Sequence, residues 1–199
     1  PLPTLTPTPT ITPTPFTGLL LISEVLYDHA GTEPTGEWFE IYNASGAAIN
    51  LTNFKIGDEE TQGGGEGMYR FPDGTSLANG QVIVIANQAT TFFAAYGFNP
   101  DFELNATDPN VPDMIKYTPW ASGSVNLANT GDEVLLLDPG DHLVDAVSWG
   151  NSSWAFDPPV PGVSEGHSIE RVPANVDTNT NADWVDQPVP DPGNVNLSR

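Results

Sequence analysis

The chain has 199 residues, enough for one domain of ordinary size and an appendage. Its 5 Lys and Arg against 26 Asp and Glu leave a formal charge of −21. Such a surface repels phosphate backbones and anionic lipid, so neither nucleic-acid binding nor adsorption to an anionic membrane is expected. With 19 Gly, 20 Pro and 10% aromatic residues, the chain has too many helix breakers for a bundle and too many aromatics for disorder. It contains no Cys, which excludes a disulfide framework and thiolate metal sites.

Residues 1–15 read PLPTLTPTPTITPTP. Proline at nearly every second position removes N–H donors and fixes φ near −65°, so this stretch is expected to be an extended Pro/Thr-rich linker. The chain opens in mid-linker without a basic, apolar-cored signal peptide, as an excised piece of a longer exported protein would. No apolar run approaches the roughly 20 residues of a membrane span, so no membrane insertion is expected.

The folded domain is expected over residues 16–199. Short β-branched and aromatic runs separated by Gly, Asn, Asp and Pro predict strands at 19–27, 38–43, 54–56, 68–71, 82–86, 133–137, 144–149 and 167–172. Within 38–43, Phe39 and Ile41 alternate with Trp38, Glu40 and Tyr42, which predicts a strand with one face on the core. Asp73-Gly74, Asn79-Gly80 and Gly131-Asp132 mark tight turns. One helix is predicted, over 90–96, closed by Gly97. The strand spacing points to an all-β, immunoglobulin-like β-sandwich with one short helix in a long loop.

Taken in order, these segments resemble the lamin-tail domain, an immunoglobulin-like sandwich of nuclear lamins and of many bacterial exported proteins. The resemblance is carried by Leu21-Ile22-Ser23-Glu24-Val25, by Gly36-Glu37-Trp38-Phe39-Glu40-Ile41-Tyr42-Asn43 and by Ile49-Asn50-Leu51-Thr52-Asn53-Phe54. It continues through Leu77-Ala78-Asn79-Gly80-Gln81-Val82, Leu127-Ala128-Asn129-Thr130-Gly131-Asp132-Glu133 and Leu143-Val144-Asp145-Ala146-Val147-Ser148-Trp149-Gly150. Ser168-Ile169-Glu170-Arg171-Val172 with Asp183-Trp184 looks like the bacterial branch, and the whole resemblance runs over about residues 18–196. It implies no shared catalytic residues, and it implies a module beside other exported domains. The chain departs from the pattern between Asn87 and Ser122, a long connection carrying Asp101, Glu103, Asp108 and Asp113 where a specialised function is expected.

Several constellations carry chemistry. Asp177, Asn179, Asn181 and Asp183 place oxygen ligands at every second position, a spacing that suits calcium. Ala182 stands where an EF-hand loop has Gly, and Pro188 where it has Glu, so the alternative is an Asn/Asp-rich turn capping its own backbone. Asp58, Glu59, Glu60 and Glu66 flank Gly63-Gly64-Gly65 and read as a flexible, solvated loop. Glu24, Asp28, Glu37 and Glu40 read as solvated strand positions.

His29, His142 and His167 lack a second histidine at zinc-ligand spacing. No G-x-S-x-G elbow and no Walker loop is present. Trp120 and Trp154 fall in loops and are the candidates for stacking on a sugar, whereas Trp149 and Trp184 fit packing roles. Five Asn-x-Ser/Thr sequons read as incidental.

The sequence therefore predicts a non-catalytic adhesion, targeting or structural module, secreted or at the cell surface, with calcium as the expected cofactor. Its expected partner is a neighbouring domain of the same polypeptide, or a surface protein or polysaccharide. The alternatives are a carbohydrate-binding module using the loop tryptophans and, behind it, a metal-dependent phosphoesterase.

Overall fold

The computed structural model describes residues 17–198; the linker expected at 1–15 and the boundary at Phe16 lie outside the described residues. The elements in chain order are β1 (Leu20–Leu26), β2 (Trp38–Asn43), β3 (Ile49–Asn50), β4 (Lys55–Gly57), β5 (Met68–Arg70), β6 (Ser76–Leu77) and β7 (Val82–Gln88). After α1 (Ala89–Tyr96) come β8 (Phe102–Asn105), β9 (Ile115–Lys116), β10 (Glu133–Leu137), β11 (Leu143–Ser148), β12 (Ser168–Arg171) and, behind a 3-10 turn at Asn181–Asp183, β13 (Trp184–Gln187). A six-stranded sheet in the order β13-β12-β1-β2-β7-β8 faces a five-stranded sheet in the order β11-β10-β4-β5-β9, and β3 pairs with β6. The all-β sandwich expected from the sequence is the architecture observed.

The apolar residues between the sheets explain the stacking. Ile22, Phe39, Ile41 and Ile85 of the larger sheet meet Ile56, Tyr69, Val134, Leu136 and Val147 of the smaller, all buried. Each such side chain contributes about 1.5–3 kcal/mol on burial. The neighbouring pairs are antiparallel except β7 and β8, which run parallel. A parallel neighbour needs a crossover, and α1 is that crossover. Gly97 ends it at φ 78° with its N–H donating to Phe93 O, the left-handed closure the sequence predicted.

The alternation in β2 predicted one buried face, yet all six of its residues are buried. The reason is tertiary: the outer face of the larger sheet is itself covered. Phe92 and Tyr96 of α1 stand edge-on to the Trp38 ring at 6.2 and 6.0 Å, and Trp38 Nε1 donates to the Tyr96 hydroxyl at 3.1 Å. Further along the same face, Gly193 N donates to Glu40 Oε2, which lays the C-terminal segment over the strand.

A β-bulge in β1 shifts the register between Ile22 and Glu24. The bulge leaves Ser23 without a register partner in β2; Ile22 beside it pairs with Ile41 and gives its backbone N–H and C=O to two buried side chains. Ile22 N donates to Asp145 Oδ2 at 2.7 Å and Ile22 O accepts from Arg171 Nε at 2.9 Å. Arg171 and Asp145 then close on each other through a two-pronged ion pair at 3.0 and 2.8 Å, with side chains only 1% and 2% exposed.

Candidate functional site

The sequence placed calcium at Asp177, Asn179, Asn181 and Asp183. In the structure a cation does sit among these residues, but it is the Arg171 guanidinium. Arg171 Nη1 lies 3.1 Å from Asp177 Oδ1 and 3.7 Å from Asp183 Oδ2. Asp183 also accepts from Thr178 N and Thr178 Oγ1, both at 2.7 Å, and Asn179 N donates to Asp177 Oδ1 at 3.0 Å. Asn181 points its amide to Pro159 O. The carboxylates are engaged by Arg171 and by their own loop, the geometry of the capped turn that the sequence left as its alternative. The positive charge comes from β12, and loop spacing alone carries no signal of it.

The acids read as solvated correct the sequence more sharply. Glu24, Glu37 and Glu40 are buried, as are Asp58 and Glu59. The 58–67 loop is built on those carboxylates. Asp58 accepts from Gly67 N and Asn126 N, and Glu59 from Thr61 N and Glu66 N, with distances of 2.7–3.0 Å. Asp132 accepts from Ala128 N and Glu133 N, Glu133 from Ser152 Oγ, and Glu37 from Leu127 N. Carboxylates thus tie the loops at one end of the sandwich by recruiting backbone donors, which the three glycines between them disguised.

At this end the acids converge. One oxygen each from Glu66, Asp132 and Glu133 lie within 4.8 Å of one another, and a second trio, Glu59, Glu60 and Glu66, meets the same condition. Burial, with the charges of Asp132 and Glu60 beside it, pushes Glu133 up to about 7. Burial likewise pushes Asp58 up to about 7, although two backbone N–H bonds pull the other way. Among the described residues no ion pair reaches these groups: Lys55 pairs with Asp141, Arg70 with Asp73 and Arg171 with the core and C-terminal acids. Hard, clustered carboxylate oxygens of this kind suit calcium chemically.

The other candidates disperse. Trp120 packs with Met68, Ala121, Leu135 and Leu137 on the outer face of the smaller sheet, and its Nε1 donates to Glu59 O at 2.8 Å. Trp154 lies in the loop after β11 with 41% of its surface exposed. Trp149 is stacked on Tyr27 at 4.6 Å in the core. His142 and His167 each face one acid, Asp138 and Asp186. In the 87–122 connection, Glu103 is fully buried and Asp101 holds Val84 N, while Asp108 and Asp113 border a surface cleft. No helix among the described residues is long and apolar enough to cross a membrane.

Comparison with known proteins agrees with this architecture. The chain is similar in fold to a DUF4876 family protein of Bacteroides thetaiotaomicron, whose crystal structure superposes with a TM-score of 0.63 at 17% identity over 86% of this chain and 71% of that one. No curated protein sequence matches the chain. The Lamin Tail Domain family pattern matches residues 13–151, from the stretch before β1 through the end of β11. The chain belongs to the lamin tail domain family.

Proposed function

We propose that the chain is a non-catalytic interaction module of an exported protein, adhering to or positioning a neighbouring domain or surface partner, with calcium bound at its acidic loop end. The observation that carries this reading is the convergence of Glu66, Asp132 and Glu133 within 4.8 Å, with Glu60 and Glu59 adjoining. A divalent ion there would join the 58–67 loop to the start of β10 and stiffen the rim that a partner meets. The Pro/Thr composition of residues 1–15 supports a tethered, exported setting. The alternative, stacking on a polysaccharide, is left with Trp154, since Trp120 is packed against the smaller sheet.

Calcium titration followed by thermal unfolding tests the proposal. Ligand at about 100 times its Kd stabilises the native state by about 2.7 kcal/mol, roughly 5–10 °C for a chain of this size. The rise is expected in the parent protein and in an Asp177→Asn, Asp183→Asn control, and is expected to vanish in Glu66→Gln, Glu133→Gln. An unchanged midpoint in the parent, or a rise that survives in Glu66→Gln, Glu133→Gln, refutes the site.

A further inference from the structure

A second group of acids lies on the outer face of the six-stranded sheet, away from the loop end. Register places Glu24 of β1 directly between Glu40 of β2 and Glu170 of β12. All three are buried. Asp191, from the segment after β13, adds a fourth negative charge felt by Glu24, Glu40 and Glu170. Like charges on directly opposed strand positions are destabilising, so this grouping requires a compensating device.

Hydrogen bonds supply it for three of the four acids. Glu40 accepts from Ser23 Oγ at 2.7 Å and from Gly193 N at 2.9 Å. The bulge in β1 assists by pairing Ser23 and Glu24 with the same neighbour. Glu170 accepts from Asn196 Nδ2 at 2.7 Å and from Gln187 Nε2 at 3.1 Å, and Gln187 also donates to Asp191 Oδ1. Glu24 is the exception. Its Oε1 accepts from Ser168 Oγ, while its Oε2 is buried without a partner and the residue is 0% exposed. An ionised oxygen with no donor in such a place is the costliest state of a carboxyl group. A proton on that oxygen removes the charge.

The segment after β13 is held down chiefly by these acids. Gly193 N reaches Glu40, Asn196 Nδ2 reaches Glu170, and Ala174 N donates to Asn196 O at 2.7 Å. No strand pairing reinforces residues 188–198, and Val189 and Leu197 are 75% and 53% exposed.

We propose that Glu24 is a proton-operated latch: while it holds its proton the C-terminal segment stays clamped across Glu40 and Glu170, and when the proton leaves, four adjacent negative charges lift that segment off the sheet. Burial first, then the charge of Glu40, pushes the Glu24 carboxyl up to about 9, with Ser168 opposing. Burial likewise pushes Glu40 up to about 8. The other titratable group facing Glu24 is Tyr96, from α1, itself raised by burial. Deprotonation bares a face that is otherwise closed, and so couples the accessibility of this surface to alkalinity.

The test follows the Gly193 and Ala174 amide resonances of the full chain by NMR from about pH 6 to about pH 10, a range bracketing the raised carboxyls. Both are expected to move together with a midpoint near 9, while Leu135 of β10 stays fixed. Glu24→Gln keeps the shape and stays neutral, so in it the Gly193 resonance is expected to follow its bonded partner Glu40 alone, near 8, while the Ala174 resonance holds still and no transition remains near 9. Its thermal midpoint above about pH 8 should equal or exceed that of the parent, which confirms folding independently. Resonances that never move in the parent overturn the latch, as does the same transition in Glu24→Gln. A transition whose midpoint shifts with calcium and disappears in excess EDTA also overturns it, in favour of a bridging cation.

Discussion

Replacing Arg171 by Met removes the one cation among the described residues that serves the core, the β1 bulge and the C-terminal loop together. Its guanidinium makes bonds of 3.0 and 2.8 Å to Asp145, 2.9 Å to Ile22 O, 3.3 Å to Val176 O and 3.1 Å to Asp177. It also lies 4.8 Å above the Trp184 ring. Because the side chains of Arg171 and Asp145 are 1% and 2% exposed, solvent does not screen the charge left behind. Breaking one side of a buried pair costs about 3–5 kcal/mol, which at about 2–4 °C per kcal/mol lowers the melting midpoint by on the order of 10 °C or more.

Burial already holds Asp145 up to about 6 against the pull of Arg171. Without that pull its pKa rises further, so the variant should regain stability as pH falls and Asp145 takes up a proton. Adding Asp145→Leu removes the stranded charge and should recover much of the loss, because apolar replacement of a buried pair is often neutral. Urea unfolding of both single variants and the double variant gives the coupling directly. A drop below about 1 kcal/mol for Arg171→Met, or a double variant no more stable than Arg171→Met alone, would refute the reasoning.

Two further outcomes follow from buried carboxyl groups. Glu103 accepts from Ala89 N, Thr107 N and Asp108 N, each at 2.9 Å. Glu103→Ala strands those donors at about 1–3 kcal/mol each and should speed hydrogen exchange at these three amides more than at Leu135 of β10. Glu24 and Glu40 have pKa values raised to about 9 and about 8 from 4.5. The native state therefore retains protons that the unfolded chain has already lost, so their contribution is fully present below about pH 4.5 and declines as pH climbs through 8 and 9. Each retained proton lowers the midpoint by roughly 3–5 °C per pH unit on the alkaline approach; scanning calorimetry that finds a flat or rising midpoint over that range would contradict it.

Much of the fold was legible because strand patterning is local. β2 and β10 begin and end where β-branched and aromatic runs predict, and Gly97 announces the end of α1. β3, β6, β8, β9 and β13 were missed: β8 exists because α1 returns the chain beside β7, and β13 because Ser168–Arg171 offers it an open edge. The order of motifs gave the family. The placement of the acids was not legible. Spacing drew attention to Asp177 and Asp183, which answer to Arg171, and away from Glu66, Asp132 and Glu133, which converge only when β4, β5 and β10 are assembled side by side. Sequence alone determined the longer strands, the helix end at Gly97 and the acidic charge of the chain, because those follow from composition and from neighbours in the chain. Which carboxyl groups are buried, paired or forced together was decided by tertiary structure, since desolvation and charge proximity depend on neighbours in space.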